Sequence, residues 1–121
     1  MSKSALGRRM FFRGVVLHGV MDEREWRKFL IEAAEAMGMS PAGKAASWEY
    51  PLHGKGGTGH TICQPLTDSF LALDTWPDHG GVYLLIASCK PFAPDCLQDL
   101  LNRFGLTQGQ SVGAPAILEL G

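Results

Sequence analysis

With 121 residues and 13.1 kDa the chain has room for one hydrophobic core and is read as a single domain, residues 1–121. Hydrophobic residues at 45% and charged ones at 19% are ordinary for a globular protein, and a net charge of −1 gives no electrostatic basis for nucleic acid or an anionic membrane as partner. No run approaches the roughly 18 apolar residues of a membrane helix, and the three cysteines Cys63, Cys89 and Cys96 suit a reducing cytoplasm better than a disulfide framework.

The segment Arg8-Arg9-Met10-Phe11-Phe12-Arg13 is similar to a twin-arginine export signal, but the apolar run after it is broken by His18 and ends at Asp22-Glu23. A first strand over residues 10–18 accounts for it better. Residues 22–37 predict a helix. Asp22 is placed to cap it, and Trp26, Phe29, Leu30, Ala33 and Ala34 recur at helical spacing before Gly38 and Pro41 stop it. A short strand follows at 45–51, then a glycine-rich loop at 54–59, an extended stretch to Gln64 and a turn at Pro65. Residues 69–76 and 81–89 both read as strands, and Pro77-Asp78-His79-Gly80 between them is a turn sequence, so they form an antiparallel hairpin. A second helix over 94–104, with Pro94 near its start and Gly105 after its end, precedes a last strand over 114–120. The order β-α-β-β-β-β-α-β predicts an α+β, two-layer sandwich: a mostly antiparallel sheet with helices on one face.

Three motifs carry little. Gly54, Gly56 and Gly59 match G-x-G-x-x-G, but the residues after them look extended, where a dinucleotide site needs a helix. His60 and Cys63, with His53, His79 or Cys89, have no paired metal-ligand spacing, so no metal is expected. Ser69 lacks the G-x-S-x-G elbow of a hydrolase.

The stretch Asp68-Ser69-Phe70-Leu71-Ala72-Leu73-Asp74-Thr75-Trp76-Pro77-Asp78, with a glycine turn and then Cys89, resembles the signature of the prokaryotic S-adenosylmethionine decarboxylases. There an acidic residue and a serine open a strand that runs into His-Thr-Trp-Pro-Glu and then into a strand ending in cysteine. The acid-serine pair, Thr75-Trp76-Pro77, Asp78 and Cys89 stand here in ungapped register, and Leu6-Gly7-Arg8 fits the opening of the family.

The resemblance implies a carboxy-lyase that makes its own electron sink. Decarboxylating an α-amino acid leaves a carbanion, for which pyridoxal phosphate is the usual acceptor. In this family the serine cuts its own chain and becomes a pyruvoyl group, which by register means cleavage between Asp68 and Ser69. Neither a metal nor pyridoxal phosphate is expected. Cys89 takes the position of the acid that reprotonates the substrate carbon, and an ordinary thiol, near 8.5, can do so. Trp76 matches an aromatic beside the nucleoside and sulfonium, and Asp78 an acid on the ribose hydroxyls. Strand alternation puts Phe70, Ala72, Asp74 and Trp76 on one face, a common site wall. The implied product feeds spermidine synthesis, and the implied assembly is a homodimer with sites near the interface.

Two departures stand out. Asp74 replaces the histidine held to remove the serine α-proton, and an ordinary aspartate, near 3.9, is a weaker base than histidine, near 6.5. Phe70 replaces a second histidine. The upstream hydroxyl that assists processing is assigned to Thr58, with Thr61 as the alternative, and the adenine-stacking aromatic is Tyr50 or Trp48. Two other functions remain open on these residues: decarboxylation shifted to ornithine or arginine, with Asp74 meeting a second cationic group, and an uncut paralogue that binds or regulates.

Overall fold

Among the residues that the computed structural model describes, 9–52, 57–93 and 95–119, alternation and helical periodicity resolve into six strands and two helices. They follow in the order β1 (Arg9–His18), α1 (Glu23–Ala36), β2 (Ala46–Pro51), β3 (Thr58–Leu66), β4 (Ser69–Trp76), β5 (Gly81–Ser88), α2 (Gln98–Phe104) and β6 (Thr107–Glu119), with a 3₁₀ turn at Pro77–His79. The strands form one sheet in the order β2-β3-β4-β5-β1-β6, antiparallel at every pairing. The architecture is the predicted α+β two-layer sandwich.

Helix α1 buries the five residues that its spacing singled out, Trp26, Phe29, Leu30, Ala33 and Ala34. Its start is fixed by a capping box: the Asp22 carboxylate accepts from the Glu25 N–H at 2.8 Å, and the Glu25 carboxylate accepts from the Asp22 N–H at 3.1 Å. Gly38, at φ +74, takes the left-handed turn that ends the helix and lets the Met39 N–H reach the Ala34 carbonyl at 2.8 Å. We expect Asp22→Ala to destabilise the fold by about 1 kcal/mol in urea denaturation, the usual cost of losing an N-cap. Phe29 is held edge-on between Trp26 and Phe104, at ring-centroid distances of 5.7 and 5.4 Å, which ties α2 to α1.

Both helices cover the face of the sheet that carries Val15, Leu17, Leu71, Leu73, Leu84 and Ile86, all buried. Arg27 anchors β2 to α1 by donating to the Ala45 carbonyl and the Ser47 hydroxyl. Ser47 donates in turn to Glu23, and that hydrogen bond, with Arg27 beside it, holds the Glu23 carboxyl below the usual carboxylate range.

Several boundaries differ from the sequence expectation, three of them with a clear physical reason or consequence. Pro65 lies inside β3 and the turn falls at Thr67–Asp68; β2 pairs only as far as Cys63, so the missing N–H of Pro65 leaves no ladder bond unmade there. The second helix begins at Gln98, after a turn at residues 95–97, and Pro94 lies outside the described residues. The last strand begins at Thr107, seven residues before the expected start, because pairing to β1 runs as far back as Thr107 opposite His18. Leu6-Gly7-Arg8, His53, Gly54 and Gly56 also lie outside the described residues.

Among the described residues the second face of the sheet has no helix on it. It presents Trp48, Tyr50, Phe70, Trp76, Tyr83 and Leu85, each between 39% and 53% exposed.

Candidate active site

Ser69 opens β4 directly after the two-residue turn Thr67–Asp68. Its φ is +149, a region that residues other than glycine rarely occupy and that typically costs about 1–3 kcal/mol. The hairpin holds it there, with Leu66 opposite Ser69 on one side and Ser88 opposite on the other. This pairing also brings up the end of β5. The Cys89 N–H donates to the Asp68 carbonyl at 2.7 Å, and the Cys89 thiol lies 3.9 Å from the Ser69 hydroxyl.

The peptide between Asp68 and Ser69 therefore has a polarised carbonyl, a strained residue on its nitrogen side and a hydroxyl one residue away. An N–H aimed at a carbonyl oxygen is what stabilises charge developing there when a nucleophile adds. These residues fit the formation of a pyruvoyl group from Ser69. The Asp68 side chain is buried as well, and its carboxylate meets the Lys90 ammonium at 3.2 Å.

A second group gathers toward the other end of β4. Asp74 accepts from the Thr61 hydroxyl at 2.9 Å and from the Trp76 indole N–H at 3.0 Å, so both carboxylate oxygens are engaged. A pocket of about 450 Å³ is lined by Tyr50, Gly59, Asp74, Trp76, Asp78 and His79 among others. Trp76 lies 6.0 Å from His79, ring to ring, and the two also line a neighbouring pocket of about 320 Å³ with His18 and Tyr83. Two carboxylates and two aromatic faces around one cavity favour a ligand that is cationic and flat or apolar in part. Among the described residues no three His, Cys, Asp or Glu side chains are grouped as a metal centre, and no helix is long and apolar enough to cross a membrane.

Residues 12–111 match the family model described as S-adenosylmethionine decarboxylase. The chain belongs to this family. Its fold is similar to that in the crystal structure of the adenosylmethionine decarboxylase from Aquifex aeolicus VF5, with a TM-score of 0.56 and 17% identity, covering 99% of this chain and 93% of that one. No curated protein matches the sequence.

Within one chain the residues named from the family signature thus fall into two groups. Asp68, Ser69 and Cys89 meet at the start of β4, with Phe70 exposed beside them on the open face. Tyr50, Asp74, Trp76 and Asp78 share the pocket toward its other end. Five steps of strand carry Asp74 roughly 16 Å from Ser69 at strand rise. Thr61 touches Asp74, whereas Thr58 is exposed at the start of β3, opposite Pro51. Tyr50 lines the pocket; Trp48 stands on the same face opposite Thr61. Lys90 was not singled out from sequence, and its position next to Cys89 was the one available signal.

Proposed function

We propose that this chain is a self-processing, pyruvoyl-dependent decarboxylase of S-adenosylmethionine that supplies aminopropyl groups for spermidine, acting in the cytoplasm as a homodimer. The observation that carries the reading is the arrangement at residue 69: a strained serine whose preceding carbonyl already accepts a 2.7 Å hydrogen bond from Cys89.

In the first step the Ser69 oxygen bonds to the Asp68 carbonyl carbon, the Asp68–Ser69 C–N bond breaks, and the hydroxyl proton ends on the Ser69 nitrogen. The product is an ester. Loss of the Ser69 α-proton then breaks the bond between Cβ and the ester oxygen, leaving a carboxylate on Asp68 and a dehydroalanine at residue 69. Tautomerisation and hydrolysis release ammonia and leave a ketone. The pyruvoyl group so formed supplies the electron sink for decarboxylation. Cys89, beside residue 69, is positioned to return a proton to the substrate carbon.

The separation along β4 supports the homodimer. A second copy packed with its open face against this one, and its β4 reversed, lays the partner's Asp74 and Trp76 over this chain's Ser69 and Cys89. The same packing covers apolar surface that a monomer seldom leaves open. On this reading the partner's Asp74, with Thr61 as its companion hydroxyl, is the base for the α-proton, and the partner's Tyr50, Trp76 and Asp78 hold the nucleoside and sulfonium.

The paired carboxylates Asp74 and Asp78 give one second reading specific support. An amino acid with a cationic side chain, such as ornithine or arginine, suits the same pocket. Carbon dioxide release from the three carboxyl-labelled substrates separates the two, and release from S-adenosylmethionine is expected. Denaturing mass spectrometry tests the processing: two chains, with a pyruvoyl at residue 69, are expected. A single uncut chain would instead support a binding or regulatory paralogue. Asp74→His is expected to speed conversion of the ester by at least about tenfold, because histidine is the stronger base by roughly 2.6 pKa units and proton abstraction follows base strength, read by loss of hydroxylamine-sensitive uncut chain.

A further inference from the structure

We infer that Lys90 is a positioning residue for cleavage of the Asp68–Ser69 peptide, acting through the Asp68 carboxylate; this rests on the reading of Ser69 as the self-processing residue. Asp68 is only 8% exposed, and a buried carboxylate is costly unless a cation and hydrogen bonds meet it. Lys90 meets it with Nζ at 3.2 Å from Oδ2, the oxygen to which the Thr67 hydroxyl donates at 3.4 Å. The backbone of Lys90 is fixed in turn by its N–H, which donates to the buried Ser88 hydroxyl at 2.9 Å.

Residues 89 and 90 therefore hold Asp68 at two points. The Cys89 N–H takes the carbonyl that Ser69 attacks, and the Lys90 ammonium takes the side chain of the same residue. The Cys89 N–H orients the carbonyl and the Lys90 ammonium orients the side chain, so both polar groups of Asp68 are tied to the residues that follow β5.

Charge gives the second reason. Attack on the Asp68 carbonyl puts negative charge on its oxygen, a few ångströms from the carboxylate of the same residue. Two like charges this close in a partly buried site repel strongly, and an adjacent ammonium offsets the repulsion as the ester forms. Lys90 exchanges no proton in this role.

The test is the cleavage rate of newly made protein, followed by denaturing mass spectrometry during cell-free synthesis. Lys90→Met is expected to cleave about tenfold more slowly or worse, the scale of one lost charge-assisted contact, and Lys90→Arg to stay near the wild-type rate. Hydroxylamine, which cuts the ester, is expected not to rescue Lys90→Met, because the slowed step is formation of that ester. The double variant Asp68→Asn with Lys90→Met removes both charges. It is expected to cleave at the rate of Asp68→Asn alone, a comparison that stands even if Lys90→Met by itself fails to fold. Wild-type-like cleavage by Lys90→Met, a double variant slower than Asp68→Asn, or hydroxylamine-sensitive ester in Lys90→Met overturns the role of Lys90 and leaves the Ser69 reading intact. An uncut wild-type chain in the same experiment overturns both.

Discussion

Ser69→Ala is expected to remain one 13.1 kDa chain under denaturing conditions, while the wild-type protein separates into fragments 1–68 and 69–121. Alanine keeps the strand and removes the only atom able to attack the Asp68 carbonyl from within residue 69. The effect on processing is therefore complete. Decarboxylation is lost with it, since no ketone can arise at that position. The variant also serves as a check on strain. Alanine at φ +149 carries the same backbone cost as serine, so its melting temperature is expected to match that of uncut wild type, which separates loss of chemistry from loss of fold. Cleavage of Ser69→Ala at the same peptide would place the nucleophile elsewhere and end the proposed mechanism.

Replacing Leu85 by aspartate is expected to give the second large effect. Leu85 stands near the middle of the open face, between Gly14 of β1 and Ala72 of β4, and is 39% exposed in the single chain. In a dimer packed through this face it is buried, and two aspartates brought near the dimer axis would carry unpaired charge into apolar surroundings. That cost typically amounts to several kcal/mol per charge, enough to dissociate an ordinary interface. Analytical ultracentrifugation is expected to show a dimer for wild type and a monomer for Leu85→Asp, with the circular dichroism spectrum unchanged because the helix-covered core is untouched. Activity is expected to fall by about a hundredfold or more, since on the proposed reading the partner's Asp74 and Trp76 complete the site and leave with the interface. A monomeric variant that keeps full activity would show that each chain carries a whole site. That result would contradict the assignment of Asp74 to the partner's Ser69.

Much of the fold was legible from one sequence because the signals were local. The five apolar residues of α1 recur at helical spacing, and all five are buried. Alternation in β4 put Phe70, Ala72, Asp74 and Trp76 on one face. The pairings of Asp74 with Thr61 and of Trp76 with Gly81 set them opposite the helices. The errors also have a local cause. Proline usually marks a turn or an edge, and Pro65 is tolerated in β3 because its neighbour β2 has already stopped pairing. The end of a strand is set by where its partner ends, and a propensity window cannot see the partner.

For the site, the order of residues along the chain was sufficient to name Ser69, Cys89, Trp76 and Asp78 through their register with the family signature, and to expose Asp74 as a departure from it. Which of these residues meet was a different matter. Ser69 and Cys89 are twenty positions apart and touch because β4 and β5 pair with Ser69 opposite Ser88; Ser69 and Asp74 are five apart and do not meet, because an extended strand carries them roughly 16 Å from each other. The sequence alone determined the helix faces, the strand alternation and the family. Tertiary structure decided the strain at Ser69, the Cys89 N–H on the Asp68 carbonyl, the Lys90 ion pair and the open face. Each of these depends on the register between strands, a long-range property that no residue encodes without its partner across the sheet.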